Sequence, residues 1–373
     1  LDRRAFLAAA AALTTAHSPL ARAFATFAGA AYLGARLDAA GRPFASAFDL
    51  DGAPLLDVPL PHRGHSFAIH PRRPQIAAPA RRPGTVMHVI DTEQKRALLE
   101  IASPPGRHFC GHAVFSADGS LLFATETDYD AVRGVVAVYN ADRGYAREAE
   151  YESRGLDPHD IRMLPGGVLV VANGGILTHP DAPNANLDPE GMDPSLVYLA
   201  ASDGRVLEQV RLARSLHQLS IRHLAVGGGG AVAIAMQHEG PSSDRVPLVA
   251  THVRGSPLRL LDVPEEMLPA MRNYCGSATV DADGRLLAVS CPRGNLSVFF
   301  DLQQGSWLTA VGMPDGCGVA AEGSPGTFIL SSGLGGAARF DLPSASRSSI
   351  PGSFVARSHW DNHLARIPVP NPA

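Results

Sequence analysis

Strand-sized apolar segments return along this chain in sets of four. "HAVFSADGSLLFATE" (112–126) is followed by "RGVVAVYNADRG" (133–144) and "YAREAEYE" (145–152). "HDIRMLPGGVLVVANG" (159–174) is followed by "SLVYLAASDGR" (195–205) and "VLEQVRL" (206–212). "SATVDADGRLLAVSC" (277–291) is followed by "GNLSVFFDLQQGS" (294–306) and "WLTAVG" (307–312). Each set reads as four strands. The first ends in a Gly turn, the second is a buried apolar run, the third ends in Asp or Asn, and the fourth follows a second turn. Antiparallel units of this size recurring every 40–60 residues predict an all-β propeller with four-stranded blades.

First strands begin at 65, 112, 159, 217, 276, 317 and 363, which predicts seven blades. The last has no second, third or fourth strand after it. Those three are read at the other end, in "TFAGAAYLGARL", "PFASAFDLDG" and "APLLDVPL". The C-terminal strand would then pair with N-terminal strands and leave the ring without a free edge. A solenoid would instead leave its ends as caps. No Pro/Ser-rich linker divides the chain, so residues 24–373 are read as one domain.

Residues 1–23 carry Arg3 and Arg4, an Ala-rich apolar stretch and Ala21-Arg22-Ala23. This pattern predicts a twin-arginine export signal, cut after about residue 23, and a periplasmic address. The apolar stretch is too short to span a membrane stably. With a formal charge of −4 and no long basic run, the chain lacks the stripe that nucleic acid needs.

The predicted first strands share one residue type. His65, His112, His159, His217 and His363 open five of the seven, with Cys317 at the sixth and Cys275-Gly276 at the seventh. Only 15 of 373 residues are histidine, so composition does not explain the register. First strands line a propeller's central channel, and their opening ends share a face with the long loops 174–194 and 237–247. Neutral imidazoles converging there suit a transition metal such as iron, copper or zinc. Asp160 and Asp361 are candidates to orient the rings or bind, and His359, Cys317 and His179 are further candidate ligands. Binding is expected to weaken below about pH 6, where imidazole ordinarily takes a proton. Two other uses stay open: a lining hydrogen-bonded to channel water, and an anion or small-molecule site. His70, His223 and His252 read as structural histidines. Arg133 reads as a solvated side chain or an anion contact. The turn at 281–284 would bring Cys275 near Cys291, at disulfide reach.

"LDPHDIRMLPGGVLVVANGGILTHPD", "PSLVYLAASDG", "LSIRHLAV", "SCPRGN", "DGCGVA" and "HWDNHL" together resemble the family called domain of unknown function 1513. The resemblance covers nearly the whole chain after residue 23. It implies an exported, propeller-like protein without an established reaction. It also implies a role in iron acquisition or metal handling beside periplasmic proteins of the imelysin or dihaem type, and the imidazole donors leave copper as the alternative metal. Three functions follow: a metal-binding or metal-handling protein, a metal-dependent oxidoreductase using the same ring, and a non-catalytic interaction scaffold.

Overall fold

The computed structural model describes Phe27 and residues 30–367 except Asn184. The export signal read at 1–23 lies outside the described residues. Seven four-stranded antiparallel sheets form the ring, one per blade.

The closing blade joins both ends of the chain. Its innermost strand is β28 (His359–Ile367), followed outward by β1 (Ala31–Leu37), β2 (Pro43–Phe48) and β3 (Pro54–Pro59). Strands β1 and β28 pair antiparallel from Ala31↔Ile367 to Leu37↔His359. Trp360 is buried in this blade, 4.9 Å centre to centre from Phe48. The predicted closure is therefore present, and it places His363 on the innermost strand.

The other innermost strands are β4 (Ala68–Ile69), β8 (Arg107–Phe115), β12 (Pro158–Leu164), β16 (Leu219–Val226), β20 (Ser277–Val280) and β24 (Gly316–Ala321). Second strands such as β13 (Val168–Asn173) are buried on both faces and read as continuous apolar runs. Outermost strands such as β11 (Ala146–Glu152), sequence AREAEYE, carry charge that guards the exposed edge. The Asp and Asn residues ending third strands have a local purpose. Asp91, Asn140 and Asp301 each accept two backbone N–H groups from the turn that follows. Among the described residues no helix is long and apolar enough to cross a membrane.

Register breaks recur at the channel-facing ends of the inner strands. They fall between Phe109 and Ala113, Pro158 and Asp160, Ile221 and His223, and Gly316 and Val319. Strand β1 shows another against β28, between Gly34 and Arg36. A bulge bends a strand and re-aims the side chains beside it. These bulges decide which residues enter the channel.

Candidate metal centre

Five buried histidines meet at the axis: His65, His112, His159, His223 and His363. Nine of the ten pairs of ring centres, all but His159–His363, lie 4.5–6.5 Å apart. Ligand nitrogens of His65, His112 and His159 lie within 4.8 Å of one another, as do those of His112, His223 and His363. His112 belongs to both groups.

Four of the five positions match the sequence expectation, and one does not. His217 stays outside the cluster. It ends the turn Arg214–Leu216, with Nδ1 3.1 Å from the Arg214 carbonyl and Nε2 3.8 Å from Glu190. His223, read from sequence as structural, takes the place in the channel. The sequence does contain the signal. His112, His159 and His223 each stand nine residues before the first residue of the second strand of their blade, at Leu121, Val168 and Val232. His217 stands fifteen before it. The same offset from β21 (Leu286–Cys291) and β25 (Thr327–Ser332) selects Ser277 and Gly318, not Gly276 and Cys317.

Those two small residues explain how seven strands deliver five touching rings. His223 and His363 belong to strands with β20 and β24 between them, yet their rings are 4.8 Å apart. Ser277 and Gly318 occupy the intervening positions without filling the axis. A Cβ on Gly318 would lie 2.9 Å from the Leu364 side chain and 3.0 Å from its backbone nitrogen. Gly111 has a similar task. Its φ is +93°, and a Cβ there would sit 2.8 Å from the His65 ring.

The rings are oriented from behind. His65 Nδ1 lies 3.0 Å from Asp361 Oδ1, and Asp361 is held by Arg63 at 2.5 Å. His112 Nδ1 lies 3.0 Å from Asp160 Oδ1, an ion-pair contact too bent for a good hydrogen bond. Asp160 also accepts from Arg162 and from the Leu224 backbone. His363 Nδ1 lies 3.3 Å from Ser277 Oγ. Both carboxylates are fully buried, and their charged neighbours hold them ionised, well below the ordinary range. A carboxylate that takes one ring N–H fixes the tautomer and frees the other nitrogen.

The inward nitrogens have no partner. Nε2 of His65, His112, His159 and His363, and both nitrogens of His223, are buried without a hydrogen bond. Unpaired buried polar atoms are costly, and a cluster of them in one place is filled by a bound ion or by water. Rings bound to one ion through nitrogens about 2.0–2.1 Å away would hold their centres about 4.5–6.4 Å apart, the spacing seen here. Each of the two groups of three could hold a metal ion through imidazole nitrogens, and they share His112.

Burial pushes His65 down to about 4, with Asp361 opposing the shift. Burial likewise drives His159, His223 and His363 well below the usual histidine value. These four rings thus stay neutral, with lone pairs available, at pH values below the expected limit near 6.

The remaining candidates sit elsewhere. Asp160 and Asp361 stand behind the rings. Cys317 is a buried thiol 3.6 Å from Asp315, raised by burial. His359 is exposed and bonded to the Gly333 carbonyl at 3.0 Å. His179 lies on the 174–194 loop, 3.4 Å from Asp181. Arg133 is engaged by Asp128 and Glu150. His70 and His252 are structural, as read: His70 accepts from the Arg72 and Arg73 amides, and His252 lies 2.6 Å from the Tyr198 hydroxyl. All four cysteines are free and buried, so the disulfide expected at Cys275 and Cys291 is not formed, and the Cys275 thiol donates to the Leu248 carbonyl at 3.8 Å.

Fold and site together define a seven-bladed propeller with a histidine cage closing its channel. Residues 58–367 match the family described as protein of unknown function (DUF1513), and the chain belongs to that family. No curated protein matches the sequence. Among solved structures the chain is similar to hydrazine synthase of Kuenenia stuttgartiensis, at 13% identity and a TM-score of 0.58. That match covers 85% of this chain and 94% of the other, and at this identity it speaks for the fold alone.

Proposed function

We propose that this protein is a metal-binding propeller in which His65, His112, His159, His223 and His363 hold one transition-metal ion as neutral imidazoles. The observation that carries the reading is the set of inward ring nitrogens, buried and unpartnered. Imidazole donors suit iron, copper and zinc. Within that set we favour iron or copper, handled in the periplasm, as the resemblance and the Arg3-Arg4 signal imply. Imelysin-type or dihaem-type proteins are the proposed partners. The test is metal analysis of protein exported in its native host, followed by chelation and reloading with iron, copper and zinc. Close to one tightly held ion per chain supports the reading. Protein that carries no ion as exported and takes none on reloading would overturn it and leave the cage as a hydrated lining.

A second reading, a metal-dependent oxidoreductase, is favoured by one observation. A cavity of about 80 Å³ opens directly onto His65, His159 and His223. A bound ion with a free position there would supply Lewis-acid or redox chemistry. Turnover with small redox substrates separates this reading from simple metal handling.

A further inference from the structure

The cavity above the cage has walls of a different character from its floor. Arg81, Arg82 and Arg222 surround it, with Gln237, Tyr274 and Asn362 completing the rim. Arg222 is 7% exposed, and its Nε is buried with no hydrogen-bond partner. Its Nη1 binds Asp157, which also accepts from Arg82 at 2.9 Å. Arg81 reaches Asp361 only at 3.4 Å, because Arg63 already occupies that carboxylate. Arg63, Arg81, Arg82 and Arg222 thus face two buried carboxylates, Asp157 and Asp361. Glu239 also acts on Arg82 from nearby. One positive charge is left over among these side chains at the cavity. The surplus charge favours an anion, and an apolar ligand finds little apolar wall.

We infer that this cavity is a binding site for a small planar oxyanion of the carboxylate, carbonate or nitrite class. Guanidinium forks present parallel N–H groups that match two oxygens on one planar centre. The unpaired Arg222 Nε supplies one donor and the free edges of Arg81 and Arg82 supply others. Gln237 and Tyr274 offer neutral donors at the rim. The inference stands on the arginines alone and needs no ion in the cage.

The test is calorimetric titration of the protein, before and after chelation, with formate, bicarbonate and nitrite in turn. At least one should bind with one-to-one stoichiometry in the chelated protein, and the ranking of the three identifies the source of the oxyanion. Arg222→Gln and Arg81→Gln should each weaken that binding about tenfold or more, while Arg133→Gln should not. Arg222→Gln leaves Asp157 with one fewer partner and can compromise folding. Arg81→Gln, on a half-exposed side chain, keeps the test decisive. Anion binding is read in chelated protein, which holds no metal, and that separates this inference from the cage reading. Failure of all three anions to bind the parent, or unchanged affinity in a folded Arg81→Gln protein, would overturn it.

Discussion

Two arcs of the same channel are built to opposite rules. Four blades in sequence and the closing strand send His65, His112, His159, His223 and His363 to the axis. The two blades between them send Ser277 and Gly318. Ring symmetry alone would keep equivalent side chains apart around a wide pore. The small arc removes that spacing, and the histidine arc contracts until every ring touches several others. The lesson is that a repeat fold makes a compact site by breaking its own repeat at chosen blades.

The largest expected effect comes from cutting the histidine arc where its two ligand groups overlap. His112→Ala combined with His223→Ala removes the shared member and one more donor. The folded double variant should lose most of its bound metal, read by elemental analysis after buffer exchange. Retention at the parental level would mean that the ion, if present, sits elsewhere. Each single variant should fall between parent and double, because four imidazoles remain to close around the ion.

Next is the support behind the rings. Asp361→Asn removes the charge held against His65 while nearly preserving shape. Metal affinity should drop about 10–100-fold, the usual scale for losing such a partner. An unchanged affinity would show that Asp361 serves the arginines around it and not the ring.

The small arc answers with stability as well as binding. Gly318→Val places a Cβ against the Leu364 backbone and the Ser331 hydroxyl. Overpacking of this kind costs about 1–3 kcal/mol. Denaturant unfolding should show the loss, and metal affinity should fall in parallel as His363 is pushed from His223. Ser277→Ala, which removes the contact to His363 Nδ1 without adding volume, should be far milder.

The fold was legible because its signals are local and repeated: apolar second strands, Asx turns after third strands, and an unpartnered last strand. Four cage histidines were legible for the same reason. His223 was not, because strand starts were aligned where the structure aligns residues by their distance to the second strand. Bulges near Arg222 and Cys317 shift which face a residue presents, and a one-residue slip turns a side chain away from the axis. Ser277 and Gly318 were hidden behind Cys275 and Cys317 by that slip. The arginines around the cavity were beyond reach from sequence, since they come from several blades and no motif joins them.

Acid should distinguish the occupied cage from the empty one. Burial holds His65 and His70 at about 4 in the folded chain. An unfolded chain takes up the same protons near the ordinary value of about 6.5. Between those limits the unfolded state binds more protons, so stability falls as pH falls. The thermal unfolding temperature of chelated protein should therefore drop from about pH 6.5 to about pH 4, and fall further below that as the unfolded chain's carboxylates take up protons that buried Asp160 and Asp361 resist. Metal-loaded protein should start higher and drop more steeply, because acid must also expel the ion. Identical curves with and without metal would argue against a bound ion in the cage.

The smallest effect is expected where sequence spacing placed a ligand that the fold does not use. His217 lies on a short turn at the blade's rim, bonded to Arg214 and near the exposed Glu190. Its side chain orders no buried neighbour and offers nothing to the axis. His217→Ala should keep parental metal content, and its stability should stay within about 0.5 kcal/mol, as for other surface changes. His223→Ala, six residues further along and inside the same strand system, supplies the contrast. Metal loss in His217→Ala with none in His223→Ala would reverse the assignment and require this strand to pair in a different register. The opposite result would establish that distance to the second strand, and not the start of the first, selects the residues of the cage.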